Sequence, residues 1–312
     1  MTTEVATVPP GTSRRSRFHY KLADASASPA VAVITPFFNT GTIFEETCVS
    51  LLTQSFQQWE WVIANDASDD PVALAILNSV RDIDPRIRVV DLSERQGPSA
   101  ARNLAVQRTQ APYLLFLDSD DLIEPTALEK TFWCLESHPE WAMCKGYTVA
   151  FGEQSYLSTA GFEAPWLFLD RNPITITALL RRKVFQVVGG FDESMRSGLE
   201  DWDLWLKLAA NGYWGHTIPE ILDWYRRRHT HHDRWRLWSG TGVRKVRRQL
   251  RSTYPDLYQQ GIKLIPEHSF EPSAPLDESI DFSNILNPSP RLLLRLQPPD
   301  STASMGGIAN KC

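Results

Sequence analysis

The 312-residue sequence is poor in cysteine and contains no long apolar run. Its four cysteines, Cys48, Cys134, Cys144 and Cys312, form neither a C-x-x-C pair nor a regular framework. That excludes a disulfide scaffold and a zinc site, and reads as reduced thiols in a cytosolic protein. The longest apolar stretches, such as Tyr113 to Leu117, are strand-sized and far short of the ~20 residues of a membrane span. The opening residues, MTTEVATVPPGTSRRSRFHY, lack the apolar core of a secretory signal. No G-x-G-x-x-G and no G-x-x-x-x-G-K-[ST] occurs, so phosphate is not held by a dinucleotide fingerprint or a P-loop. Nor is the chain basic. With 32 Lys and Arg against 37 Asp and Glu its net charge is −5, which speaks against a nucleic-acid-binding protein.

What is present is an ordered alternation of strands and helices. Residues 1–29 are a Ser-, Thr-, Ala- and Pro-rich leader without period. From Val31 the pattern predicts strands at 31–35, 59–64, 87–92 and 112–118 and helices at 42–54, 72–80, 98–109 and 125–137. The second helix is entered through an Asp-Asp-Pro turn, the third carries proline near its first turn, and Thr42 with Glu45 predicts a capping box for the first. Such alternation implies an α/β fold whose mostly parallel sheet is covered on both faces. After Trp141 the pattern is mixed, with strand-like pieces at 141–150, 174–180 and 218–228 and helices near 200–211 and 243–250. One domain over 30–262 and a Pro-rich tail over 263–312 follow.

Ligands of open α/β sheets bind beyond the carboxyl ends of the strands. Thr35-Pro36-Phe37-Phe38-Asn39 follows the first strand, Asn65-Asp66-Ala67-Ser68 the second, and Asp118-Ser119-Asp120-Asp121 the fourth. Three carboxylates in four residues repel one another unless a cation lies among them, and hard oxygen ligands suit Mg²⁺ or Mn²⁺. An isolated Asp-x-Asp serves as readily to cap the next helix; its place at the end of a buried strand points to metal. Glu200 and Asp201 head the segment GLEDWDLWLKLAANG, either as first-turn acids matching the helix dipole or as catalytic groups. Gly97-Pro98 opens a helix with Arg102 in its second turn, an anion site or a solvated arginine. From Arg226 to Arg251 ten Lys and Arg face one acid, Asp233. His229, His231 and His232 lie there as metal ligands, a diphosphate clamp or a solvated basic loop. Arg244, Lys245, Arg247, Arg248 and Arg251 form a helical stripe that suits anionic lipid headgroups or plain solvent. Six of the eleven tryptophans lie between Trp202 and Trp238, as sugar platforms or as core.

In order along the chain, VAVITPFFN, WVIANDASDD, GPSAARNLA, LLFLDSDD and VVGGFDESMRSGLEDWDLWLKLA together resemble the motifs of family 2 glycosyltransferases with the GT-A fold, from about Val31 to Arg228. The resemblance implies a Rossmann-like nucleotide-binding half and a mixed acceptor half. It implies transfer, with inversion, from a nucleoside-diphosphate sugar to the hydroxyl of a glycan or other acceptor. Thr35, Pro36, Asn39, Asp66, Arg102, Asp118 and Ser119 would then bind the nucleotide sugar. Asp120 would hold Mn²⁺ or Mg²⁺ with His229, Asp201 would be the general base, and Glu200 and Trp202 would lie close to it. Such a protein would build cell-surface glycans in the cytoplasm or on the inner face of the membrane. Two alternatives are a catalytically silent nucleotide-sugar-binding module and an aspartate-nucleophile phosphohydrolase. Asn65 replaces the family's usual aspartate, Phe38 its frequent tyrosine, and His229 stands one place late after Tyr225-Arg226-Arg227-Arg228. The tail segments RLLLRLQ and SMGGIANK look like the start of a second, GT-B type domain.

Overall fold

The first strand, β1 (Val31–Phe37), and the second, β2 (Trp59–Asn65), are buried along their length apart from Pro36, which is partly covered. The reason is the period of a strand, which sends successive side chains to opposite faces, each lying against its own core. Val31, Val33, Trp61 and Ile63 enter one core; Ala32, Ile34, Val62 and Ala64 enter the other. This is why these strands read as apolar runs and not as alternating ones. The computed structural model describes residues 28–195, 198–228, 241–263 and Phe270. The expected leader before residue 28, His229, His231, His232 and the tail beyond Phe270 lie outside the described residues.

Strands β1, β2, β3 (Ile87–Asp91) and β4 (Tyr113–Phe116) pair in parallel, in the spatial order β3-β2-β1-β4. The chain leaves β1 on one side and returns on the other, so the topological switch point lies between β1 and β4. Helices α1 (Phe44–Leu52), α2 (Pro71–Arg81) and α3 (Pro98–Gln107) connect these strands. Phe44, Cys48, Leu51, Ala73, Ile76 and Leu77 seal one face, and the small residues Ala101 and Ala105 let α3 close on the other.

The remaining elements are β5 (Leu122–Ile123), α4 (Ala127–Ser137), β6 (Met143–Gly152), β7 (Tyr156–Ser158), α5 (Pro165–Phe168), β8 (Leu179–Arg181), α6 (Arg182–Val187), α7 (Glu200–Ala210) and β9 (Gly215–Arg227). The sheet continues past β4 as β8-β6-β9-β5, with β7 beside β6. β8 runs antiparallel to β4 and to β6, and β9 runs parallel to β6 with a register shift at Lys145–Thr148. The expected α/β architecture, a Rossmann-like parallel half joined to a mixed half, is the one observed. Helices Thr241–Thr253 and Pro255–Gln260 close the described chain against α7, with Leu250 and Leu257 in its core.

Several local expectations need correction. The Thr42–Glu45 capping box does not form, because Gly41–Ile43 is already a 3-10 turn and no residue there has the extended conformation of a side-chain cap. Asp70, which is extended, caps α2 instead by accepting from the Val72 and Ala73 amides at 2.7 and 3.3 Å. The predicted strand 174–180 shrinks to Leu179–Arg181, since its earlier residues serve as a loop. Strands β5 and β7, helices α5 and α6 and the Pro255–Gln260 helix are too short to show a period.

At the register shift, a Cβ on Gly146 would lie 2.6 Å from the Glu220 carbonyl oxygen and inside the Leu222 side chain. Gly146→Ala is expected to destabilise the protein by about 1–3 kcal/mol, read as a lower urea midpoint with unchanged slope.

Candidate active site

The loops beyond β1, β2 and β4 meet at the switch point. Asn39, with φ 49°, accepts from the Asp69 and Asp70 amides through Oδ1 at 3.1 and 3.0 Å, and its own amide donates to Ser68 Oγ at 3.1 Å. It fastens the loop after β1 to the loop after β2. Asn65 donates from Nδ2 to Asp91 Oδ1 at 2.9 Å. An aspartate at 65 would put a second carboxylate against Asp91, which accounts for the amide there. Phe38 lies under the Arg95 guanidinium, 3.9 Å from ring centre to carbon, a contact that needs a ring face and no hydroxyl.

Asp66 is buried, and its two oxygens accept from the amides of Gln96 at 2.7 Å and Gly97 at 2.9 Å. It thereby fixes the entry to α3, whose N-cap Gly97 has a φ of 95°. One turn on, Arg102 is 3% exposed. It donates from Nη2 to Asp118 Oδ1 at 2.5 Å and from Nη1 to Glu200 Oε1 at 2.7 Å, beneath the Phe191 ring. Burial alone would weaken its proton affinity, but the two carboxylates outweigh it and hold the guanidinium above its ordinary value. This residue joins the acidic turn after β4 to the start of α7.

In that acidic turn, Ser119 Oγ lies 2.5 Å from Thr40 Oγ1 and the Ser119 carbonyl accepts from Thr47. Asp120 Oδ2 accepts from Arg228 Nη2 at 2.5 Å, and its carbonyl accepts from Arg226 Nε at 2.8 Å. Asp121 is buried and accepts from the Arg226 amide at 2.8 Å. Burial raises the affinity of Asp120 and Asp121 for a proton, and the neighbouring acids add to it. Arg228 opposes the shift at Asp120, and the Arg226 amide opposes it at Asp121.

On the other side, Leu199 adopts φ 58° immediately before α7, turning the helix start toward Arg102. Asp201 accepts from Asn172 Nδ2 through Oδ2 at 2.6 Å, while Oδ1 accepts from the Trp202 amide at 2.8 Å. Burial and then the adjacent Glu200 push its carboxyl up to about 7, against the Trp202 amide, Arg102 and Asn172. A carboxylate poised near neutrality suits a general base.

Asp66, Arg102, Asp118, Glu200 and Asp201 thus form one connected framework through α3 and the head of α7, with Ser119 and Asp120 in the same turn as Asp118. Two candidates face elsewhere. The Thr35 hydroxyl accepts from Trp61 Nε1 at 2.8 Å within the core, and Trp202 is fully buried with its indole N–H on the Phe168 carbonyl at 2.6 Å. Pro36 is half-buried at the end of β1. Asn172, Arg226 and Arg228 are site residues that sequence reading did not single out. Asn172 carries no local signal, and the arginines were legible only as part of a basic run and of the Tyr225–Arg228 segment before His229, with no role assigned to them.

The donor set fits a hard divalent cation. Asp118 and Asp120 present partly exposed carboxylates, 32% and 26% accessible, and Mg²⁺ or Mn²⁺ is commonly held by one or two carboxylates plus phosphate oxygens and water. Among the described residues no group of three or more His, Cys, Asp or Glu converges into a complete cage.

Residues 32–201 match the sequence profile of Glycosyl transferase family 2, which covers more than half of the chain. The chain belongs to that family. Among its relatives, a Bacillus subtilis (strain 168) protein named as a teichuronic acid biosynthesis glycosyltransferase, TuaG, is 30% identical over 207 residues, 64% of this chain and 79% of the relative. The Myxococcus xanthus O-antigen biosynthesis protein RfbC is 27% identical over 206 residues, but these are only 16% of its length. Solved structures agree on the fold. This glycosyltransferase superposes on S. aureus TarS 1-349 in complex with UDP-GlcNAc with TM-score 0.61 at 19% identity, covering 74% of this chain and 66% of that one. The mannosyltransferase PcManGT from Pyrobaculum calidifontis, in complex with GDP-Man and Mn²⁺, gives 0.52 at 17% identity over 78% and 72%. No helix among the described residues is long and apolar enough to cross a membrane.

Removing the Arg102 guanidinium would leave the Asp118 and Glu200 carboxylates without their shared partner. Arg102→Ala is expected to cost about 3–5 kcal/mol of stability in chemical denaturation, and Arg102→Lys less, because one ammonium cannot span both acids.

Proposed function

We propose that this glycosyltransferase transfers a sugar from a nucleoside-diphosphate sugar to an acceptor hydroxyl, with inversion and with Mn²⁺ or Mg²⁺, in the synthesis of a cell-surface glycan. The observation that carries the reading is the Arg102 bridge, which ties the acidic turn to the helix that bears Asp201. The relatives named for teichuronic acid and O-antigen biosynthesis support the product class, and the complexes of UDP-GlcNAc and GDP-Man with proteins of the same fold support the donor class. Asp201, held by Asn172, takes the proton of the acceptor hydroxyl as its oxygen attacks the anomeric carbon in line. Asp118 and Asp120 would hold the cation. When bound, that ion would supply Lewis-acid stabilisation of the departing diphosphate, so no proton donor is needed on that side. The Asn39 and Asp66 loops frame the nucleotide, Asp66 by fixing the amide-lined entry to α3.

The phosphohydrolase alternative needs a nucleophilic carboxylate on the first strand. Here the acidic turn follows the fourth strand, and Asp118 is engaged by Arg102. A silent binding module would share the whole framework and differ only in turnover.

We propose a cytoplasmic protein that makes peripheral contact with the anionic inner face of the membrane. The helix Thr241–Thr253 buries Leu250 and partly buries Val243 and Val246, leaving Arg244, Lys245, Arg248 and Arg251 exposed on its outer side. Basic residues near an anionic bilayer contribute about 1 kcal/mol each.

Incubation with Mn²⁺ and a panel of nucleotide sugars is expected to release nucleoside diphosphate in an EDTA-sensitive reaction. Asp120→Ala abolishes it and Asp201→Asn lowers kcat by about 10²–10⁴-fold. Binding without turnover for every acceptor would favour the silent module, and phosphate release from simple phosphate esters the hydrolase. Because the base works deprotonated, kcat should rise with pH to a plateau through a midpoint near 7. Asn172→Ala removes a hydrogen bond that favours the carboxylate, so the midpoint should move to higher pH. The triple variant R244E/K245E/R248E should lose salt-sensitive co-sedimentation with vesicles containing phosphatidylglycerol, while wild type ignores pure phosphatidylcholine.

A further inference from the structure

Among the described residues three guanidinium groups surround the acidic turn, and they are held very differently. Arg102 is buried between Asp118 and Glu200. Arg226 is 11% exposed and fixed on three sides, by the Asp120 carbonyl, by Glu46 at 2.8 Å and by the Phe151 ring at 4.5 Å. Arg228 follows the end of β9, is 35% exposed, and is held among the described residues by the Asp120 carboxylate alone. Asp120 therefore carries a removable cation at the very carboxylate that the proposed reaction assigns to the metal. Two cations on one carboxylate repel each other, whereas a guanidinium released beside a diphosphate meets a bidentate anion that suits its fork.

We infer that Arg228 is an exchangeable counter-ion: it neutralises Asp120 in the free enzyme, gives that carboxylate up to the divalent cation, and then pairs with the diphosphate of the donor. The inference rests on the metal-dependent transfer proposed above. It makes Arg228 a competitor of metal in the absence of nucleotide and a ligand of nucleotide in the presence of metal, and these two effects carry opposite signs. A side chain that merely supports the fold would weaken both.

The test is Mn²⁺ titration of the full chain by electron paramagnetic resonance, followed by calorimetric titration with UDP and GDP at saturating Mn²⁺, for wild type, Arg228→Gln and Arg228→Lys. A partly exposed ion pair is worth roughly fivefold in affinity. Arg228→Gln should bind Mn²⁺ alone about fivefold more tightly, and whichever nucleoside diphosphate the wild type accepts about fivefold more weakly. Arg228→Lys keeps the charge and should retain wild-type Mn²⁺ affinity while losing part of the nucleotide affinity. Unchanged or weaker Mn²⁺ binding by Arg228→Gln overturns the exchange, and so does unchanged nucleotide binding. Either result with a metal-binding wild type removes the exchange alone. A wild type that binds no Mn²⁺, with or without UDP or GDP, removes the metal-dependent reading and the exchange with it. Should Arg228→Gln melt early, tightened metal binding is no longer its signature, and the Arg228→Lys split between metal and nucleotide decides.

Discussion

The site is built on one buried guanidinium. Arg102 belongs to a helix that packs on the parallel sheet, yet its two partners belong to segments far apart in the chain: Asp118 follows β4, and Glu200 opens α7. A buried arginine is tolerable only when its charge is matched, and here two carboxylates match it. The match works in both directions at Glu200, which is itself buried, whereas Asp118 keeps part of its carboxylate in solvent. The requirement that one guanidinium reach both carboxylates fixes the distance between the two halves of the site. Asp66 completes the arrangement from below by clasping the amides that lead into the same helix.

Around that bridge the structure accepts unfavourable conformations. The non-glycine residues with positive φ among the described residues are Asn39, Ala67 and Leu199, and all three lie in loops that frame this edge of the sheet. Left-handed backbone at such residues costs about 1–3 kcal/mol each and persists only where surrounding contacts impose it. At Asn39 those contacts are the hydrogen bonds to the loop after β2. At Leu199 the return is the orientation of Glu200 and Asp201. The crowding of acids has a similar logic. Asp118, Asp120 and Asp121 are separately engaged by Arg102, Arg228 and the Arg226 amide, so the repulsion among them is met locally by strands and helices that arrive from elsewhere.

Much of this protein is readable from its residue order, and the legible parts share a cause. The parallel strands and covering helices are long enough to show a period, and burial on both faces turns the strands into apolar runs that local composition reveals. The turn chemistry after β1, β2 and β4 is likewise local, so Asn39, Asp66 and the Asp118–Asp121 turn could be named as candidates. The capping box at Thr42 was misread because a 3-10 turn, which leaves no pattern of its own, occupies that position. Thr35 and Trp202 sit within motif segments, but strand and helix geometry turn both into the core.

What the sequence by itself determined is the layered α/β plan, the family and the identity of the acidic turn, because each depends on short-range periodicity or on residues adjacent in the chain. Only the tertiary structure decided which partners those acids have. Asn172 reaches Asp201, Arg228 reaches Asp120 and Arg102 reaches Glu200 across 29, 108 and 98 positions. Pairing over such separations is set by sheet order and by the neutralisation of buried charge, and neither leaves a trace in any local window of sequence.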